Sequence, residues 1–179
     1  MKPNVIRPIA ICVFQNDGRI LVAEGYDPLK QQTFYRPLGG AIEFGEYSAA
    51  TIARELSEEL GAAVVDLRYL GALENIFTFN GQTGHEIVMV YDGTFADRSI
   101  YEQPFLSGME DSGVPFRAVW VKLADCAVTP INAGDCGRLL HDLYQRRGLI
   151  ALGEDVVNRA YAADIGDEAS HCYGSEPCV

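Results

Sequence analysis

The stretch from Gly40 to Ala62 constrains this chain most, because it gathers like charge where a helix resists it. From Ser48 to Leu60 the apolar residues Ala49, Ile52, Ala53, Leu56 and Leu60 recur at helical spacing and form one stripe. Ser48 is placed to cap the start of that helix and Gly61 its end. Residues three and four apart share a helix face, so Glu55, Glu58 and Glu59 bring their carboxylates together. The like-charged pair Glu55 and Glu59 costs roughly a few tenths of a kcal/mol. Glu58 and Glu59 also occupy the last turn, where the helix dipole disfavours anions. A sequence shaped by helix stability would place Lys or Arg there. A hard divalent cation between the carboxylates would offset the repulsion.

All-oxygen ligation by few protein groups suits magnesium, with manganese as the alternative. Arg54, four residues ahead of Glu58, is placed to orient its carboxylate. Gly39-Gly40 lets the backbone approach closely and take up positive φ, so a carbonyl there can reach a cation. A solvated acidic face with one salt bridge is the ordinary reading of a bare Glu-x-x-Glu-Glu. Here seven positions are specified together: Gly40, Glu46, Arg54, Glu55, Glu58, Glu59 and Gly61. With each residue type used at roughly 5–7%, chance agreement at a given start is on the order of a few in a billion. The ordinary reading fails.

This segment resembles the Nudix box, the signature of the Nudix hydrolases, departing from it at the last position, where Ala62 stands for a larger aliphatic residue. The resemblance implies an α/β (α+β) fold, an α/β/α sandwich around a mixed β-sheet. It implies that Glu55, Glu58 and Glu59, with the Gly39 carbonyl, ligate a divalent metal. It gives Arg54 the task of orienting a box glutamate, and Glu46 that of supporting the loop, with a metal contact through water. The implied reaction is attack of water on a phosphorus of a diphosphate bridge in a nucleoside diphosphate derivative, releasing a nucleoside monophosphate. Glu58, Glu59 and Arg54 are thereby the catalytic candidates. The general base varies within the family and often lies outside the box. Glu110 and Asp111 are candidates for it here, set against a plain polar loop over Gly108–Gly113.

The rest of the chain is consistent with that frame. Ile9 to Phe14, the turn Asn16-Asp17-Gly18 and Ile20 to Ala23 read as a β-hairpin. Phe34 to Leu38 reads as a strand feeding Gly39-Gly40. A strand pair follows, Val64 to Leu73 and His85 to Phe95, joined across Asn80 to Gly84. Arg117 to Leu123 is a further strand, and Leu139 to Tyr144 mark a second helix ending near Gly148. The expected Nudix domain covers residues 1–150. Residues 151–179 form an extension, helical around Val156, Val157 and Tyr161 and then polar.

Further site candidates come from chemistry. Glu86 enters an apolar strand, Ile87 to Val90, which suggests an extra ligand or a substrate contact. His85 beside it reads as a strand-end hydrogen-bonder. Arg36 is placed to meet a phosphate, or simply to face water. Phe77 and Phe79, with Phe34, Tyr35 and Trp120, offer surfaces for stacking a base, although core packing explains any one of them better.

Composition narrows the partners. A net charge of −11 argues against nucleic-acid binding and leaves a small phosphorylated substrate, reached through cations. No apolar stretch approaches the roughly 20 residues of a membrane span, and none at the start makes a secretory h-region. Five cysteines without CxxC spacing read as free thiols of a reducing cytosol, so a cytoplasmic location is expected. Phosphate-loop, nucleophile-elbow, HExxH and dinucleotide-fingerprint motifs do not occur.

Two rivals remain open. One is a non-catalytic Nudix-fold module that senses a nucleotide, although such modules tend to lose the box carboxylates kept here. The other is isoprenoid-diphosphate isomerisation, which needs a cysteine near the box, and no cysteine falls in or beside it here. Downstream, Ile76 stands where an ADP-ribose type carries proline, and Phe77, Thr78 and Phe79 match the tyrosine place of a dinucleoside polyphosphate type only in part, so the substrate stays open. A homodimer fits the family habit.

Overall fold

The computed structural model describes residues 5–122. They fold around β1 (Ile6–Val13), whose last four residues, Ala10 to Val13, are all buried. Burial on both faces is what a continuous apolar run requires of a central strand. On one side β1 pairs in parallel with β6 (Gln82–Phe95), and on the other antiparallel with β4 (Gln32–Ala41). Outside these lie β5 (Val64–Phe79) against β6, and β3 (Arg19–Asp27) against β4. The eight-stranded mixed sheet runs β5-β6-β1-β4-β3-β8-β7, with the two-residue β2 (Gln15–Asn16) on β3. The last two strands are β7 (Phe105–Met109) and β8 (Pro115–Lys122).

Alternation along the strands divides the core between the two faces. Ala10, Cys12, Leu38, Tyr91 and Phe95 pack with Ile52 and Leu56 of the helix α1 (Ser48–Leu60). Ile11, Val13, Val88 and Val90 face the other way, with Ile20 and Val22. Ala62, small for its position, is still buried in the helix-side core.

Several expectations needed correction. Ile9 to Phe14 does not form a hairpin with Ile20 to Ala23. The hairpin is only Gln15–Asn16 against Arg19–Ile20, closed by Asp17-Gly18 with φ of 48° and 70°. β1 leaves it for longer partners that bury both its faces. The β5–β6 pair reaches well past the expected ends, because Asn80-Gly81 alone, with φ of 48° and 71°, makes the turn. Gln82 to Gly84 are therefore strand. β7 and the 3-10 turn Arg98–Glu102 are additional elements that no sequence pattern marks. The second helix, the C-terminal extension and the boundary at residue 150 lie outside the described residues. No helix among the described residues is long and apolar enough to cross a membrane.

Candidate active site

The helix carrying the acidic residues starts and stops for different reasons. Its N-cap is Tyr47, in extended conformation and without a side-chain cap. The expected cap, Ser48, instead shares a 2.6 Å hydrogen bond with the Tyr91 hydroxyl, tying the first turn to β6. Gly61 ends the helix in left-handed conformation at φ 64°, its N–H donating to the carbonyls of the last turn. The stripe differs from expectation at Ala53, which is exposed. The buried side holds Thr51, Ile52, Glu55, Leu56 and Glu59. Two of the three clustered carboxylates thus share the face that meets the core, with Glu55 5% and Glu59 9% exposed. Glu58 faces solvent.

Gly39 and Gly40 make room for that arrangement. At Gly39 a Cβ would stand 2.1 Å from the Ala10 carbonyl oxygen, and the backbone is held at φ +136°. At Gly40 a Cβ would lie 2.3 Å from the carboxyl carbon of Glu55. The bare backbone is the seat of the Glu55 carboxylate.

Arg54 joins the loop to the helix. Its guanidinium donates to both oxygens of Glu46 at 3.0 and 3.1 Å, to Glu58 at 3.0 Å and to the Ala41 carbonyl at 3.1 Å. It also forms an ion pair with Glu55 at 3.0 Å. Glu46 accepts from the Thr51 hydroxyl at 2.8 Å and the Glu43 N–H at 3.3 Å. The Arg54 hydrogen bonds, helped by Thr51, pull the Glu46 carboxyl down to about 2. Thr51 was not singled out from the sequence. Its buried hydroxyl on an apolar helix face is the signal that would have found it.

Glu55 and Glu59 titrate the other way. Burial raises both, and Arg54 opposes the rise at Glu55. Glu59 reaches about 7, pushed first by burial, then by the negative charge of Glu110, with Arg36 opposing. Asp111 adds its charge to both. The turn after β7 therefore brings Glu110 and Asp111 to the box helix, and Arg36 of β4 pairs with Glu110. Among the described residues no three His, Cys, Asp or Glu side chains already surround one point as a closed ligand set. Glu58 is turned to Arg54 instead.

The remaining candidates fall elsewhere. Glu86 is buried, but strand alternation puts it on the Val88 and Val90 face, away from α1, where it pairs with Arg7 and accepts from Asn75 at 3.2 Å. It is not brought to the box, and its burial is explained by Arg7. His85 bonds Glu74 at 2.9 Å. Phe77 lies over Gly84, and Phe79 meets Phe34 edge-on at 5.5 Å. Both belong to the β5–β6 hairpin tip, fastened to the β3–β4 tip by Lys30 to Thr78 (2.7 Å) and by Asp27 to the Asn80 N–H (3.2 Å). An open cavity of about 850 Å³ between β2, β6 and the 3-10 turn contains none of the box residues.

A mixed sheet with a carboxylate-bearing helix seated on a Gly-Gly strand end defines the class of Nudix domains. The model of the NUDIX domain matches residues 5–137. The chain belongs to the Nudix domain family. The NAD-capped RNA hydrolase NudC of Vibrio atlanticus (strain LGP32) is 36% identical over 67 residues, 37% of this chain. That match spans 24% of the relative's own length. Among solved structures, the mutator MutT protein of Bacillus halodurans superposes with a TM-score of 0.55 at 19% identity, covering 78% of this chain and 83% of that one. An ADP compounds hydrolase gives 0.52 at 20% identity, covering 84% and 75%. These likenesses show a shared fold.

Proposed function

We propose that this chain cleaves the diphosphate linkage of a nucleoside diphosphate derivative by water attack on phosphorus, with magnesium or manganese held by Glu55, Glu58 and Glu59 and the Gly39 carbonyl. One observation carries the reading. Glu55 and Glu59 are buried one helical turn apart, facing two further acids, while the nearby Arg54 is already shared among Glu46, Glu55 and Glu58. Four acids gathered around so few cations are costly to bury in charged form, so the donor set fits a hard divalent ion.

When bound there, such an ion neutralises the diphosphate and acidifies water. The chain's own residues supply the rest. Arg54 holds Glu58 and Glu55 in place, and the loop stays rigid through Glu46 and Thr51. The Glu110 carboxylate takes the proton of the attacking water as the new P–O bond forms. The bridging P–O bond breaks, and its electron pair leaves on the departing phosphate.

A screen of nucleoside diphosphate derivatives, with and without magnesium and with product identification, tests the reading. The likeness to an NAD-capped RNA hydrolase makes NAD-type dinucleotides sensible members of the panel. Magnesium-dependent release of a nucleoside monophosphate is expected. Tight nucleotide binding without turnover of any compound would point to a sensing module and refute the proposal.

A further inference from the structure

We propose that Arg36 is a positioning residue for the reaction, holding Glu110 over the box carboxylates. The inference rests on the proposed role of Glu110 as proton acceptor. Arg36 and Glu110 are 74 residues apart and form a direct ion pair. Their supports differ in rigidity. Arg36 sits inside the sheet on β4, in register with Ala23, and is followed by the buried Pro37, Leu38 and Gly39. Glu110 lies in the turn between β7, the last strand of the sheet, and β8. That turn closes on itself, with the Glu110 N–H donating to the Val114 carbonyl at 2.9 Å and the Gly113 N–H to the Glu110 carbonyl at 2.7 Å.

Electrostatics pull the turn away from the site. Glu110 and Asp111 both face Glu59, and Asp111 also faces Glu55, so like charges oppose their approach. Arg36 is the cation that acts on Glu59 and bonds Glu110 at once. Its charge holds a carboxylate turn against a carboxylate helix, and its fixed strand decides where Glu110 stands. A residue acting this way changes the rate through Glu110 and does little for substrate affinity.

The test is a double-mutant cycle of Arg36→Met and Glu110→Gln, with Arg36→Lys beside it, on the magnesium-loaded full chain. Arg36→Met is expected to lower kcat about 10–100-fold with KM within about twofold, and to add less than about threefold in the Glu110→Gln background. Arg36→Lys is expected to recover part of the loss. A KM rise of about tenfold that persists in both backgrounds would instead make Arg36 a direct phosphate contact and overturn the proposal. A second readout needs no substrate. Amide exchange at Glu110 and Gly113 in metal-free Arg36→Met should quicken about fivefold or more. Unchanged exchange overturns the tether. Faster exchange in a chain that hydrolyses nothing supports the tether and places the failure in the reading of the reaction.

Discussion

Gly40→Ala separates what the box does for chemistry from what it does for the fold. The new Cβ would stand 2.3 Å from the Glu55 carboxyl carbon. Carbon atoms in contact lie about 3.5–4.0 Å apart, so that carboxylate must retreat by more than about 1 Å. The obstacle is the tip of a flexible side chain, and Gly40 is not held at positive φ, so the fold yields cheaply, by about 1 kcal/mol or less. Function does not yield. A 1 Å misplacement of a catalytic or ligating group costs on the order of 100-fold in rate. Gly39→Ala is the contrasting case. Its Cβ meets the Ala10 carbonyl at 2.1 Å, in backbone that cannot step aside, and alanine would be strained at φ +136°. Overpacking and strain together should cost about 3 kcal/mol or more. The assay is thermal melting of both variants without metal, paired with magnesium titrations of hydrolysis rate. Gly40→Ala should melt near the parent and lose about 100-fold in rate, while Gly39→Ala should melt many degrees lower. Near-parental turnover by Gly40→Ala, or equal melting of the two, would refute the claim that Gly40 seats Glu55.

Three further outcomes are expected. Glu58→Gln or Glu59→Gln should lower magnesium-dependent turnover by several orders of magnitude while leaving the metal-free fold intact or slightly more stable, measured by steady-state kinetics and denaturant melts. Arg54→Met should destabilise the chain by about 2 kcal/mol in urea, because Glu46, Glu58 and the Ala41 carbonyl lose a charged donor together. Metal-free stability should depend on pH in a defined sense. Glu59 has its folded pKa raised from 4.5 to about 7, so its contribution is present below pH 4.5 and lost as pH rises through about 7. Glu46 is lowered from 4.5 to about 2, so its contribution is present above pH 4.5 and lost as pH falls toward 2. Melting temperature should therefore fall on both sides of the mildly acidic range. Magnesium should remove the decline on the neutral side, and a decline that survives saturating magnesium would contradict the placement of the cation.

What the chain carries locally was legible. The helix from Ser48 to Leu60, its stop at Gly61 and the shared face of Glu55 and Glu59 follow from a 3.6-residue period and a glycine free to go left-handed. The β5–β6 hairpin likewise follows from Asn80-Gly81, although its length did not. Only the tertiary structure decided how three similar glutamates come to differ. Glu55 and Glu59 lie on the buried helix face, Glu55 against Gly40, while Glu58 lies on the exposed side with Arg54. It also decided that β1 abandons its nearest neighbour for β6, that Glu86 faces Arg7, and that Arg36 reaches Glu110. Backbone conformation and periodicity are written into neighbouring residues. Burial, and with it charge and pairing, depends on surfaces that meet only after distant segments have packed.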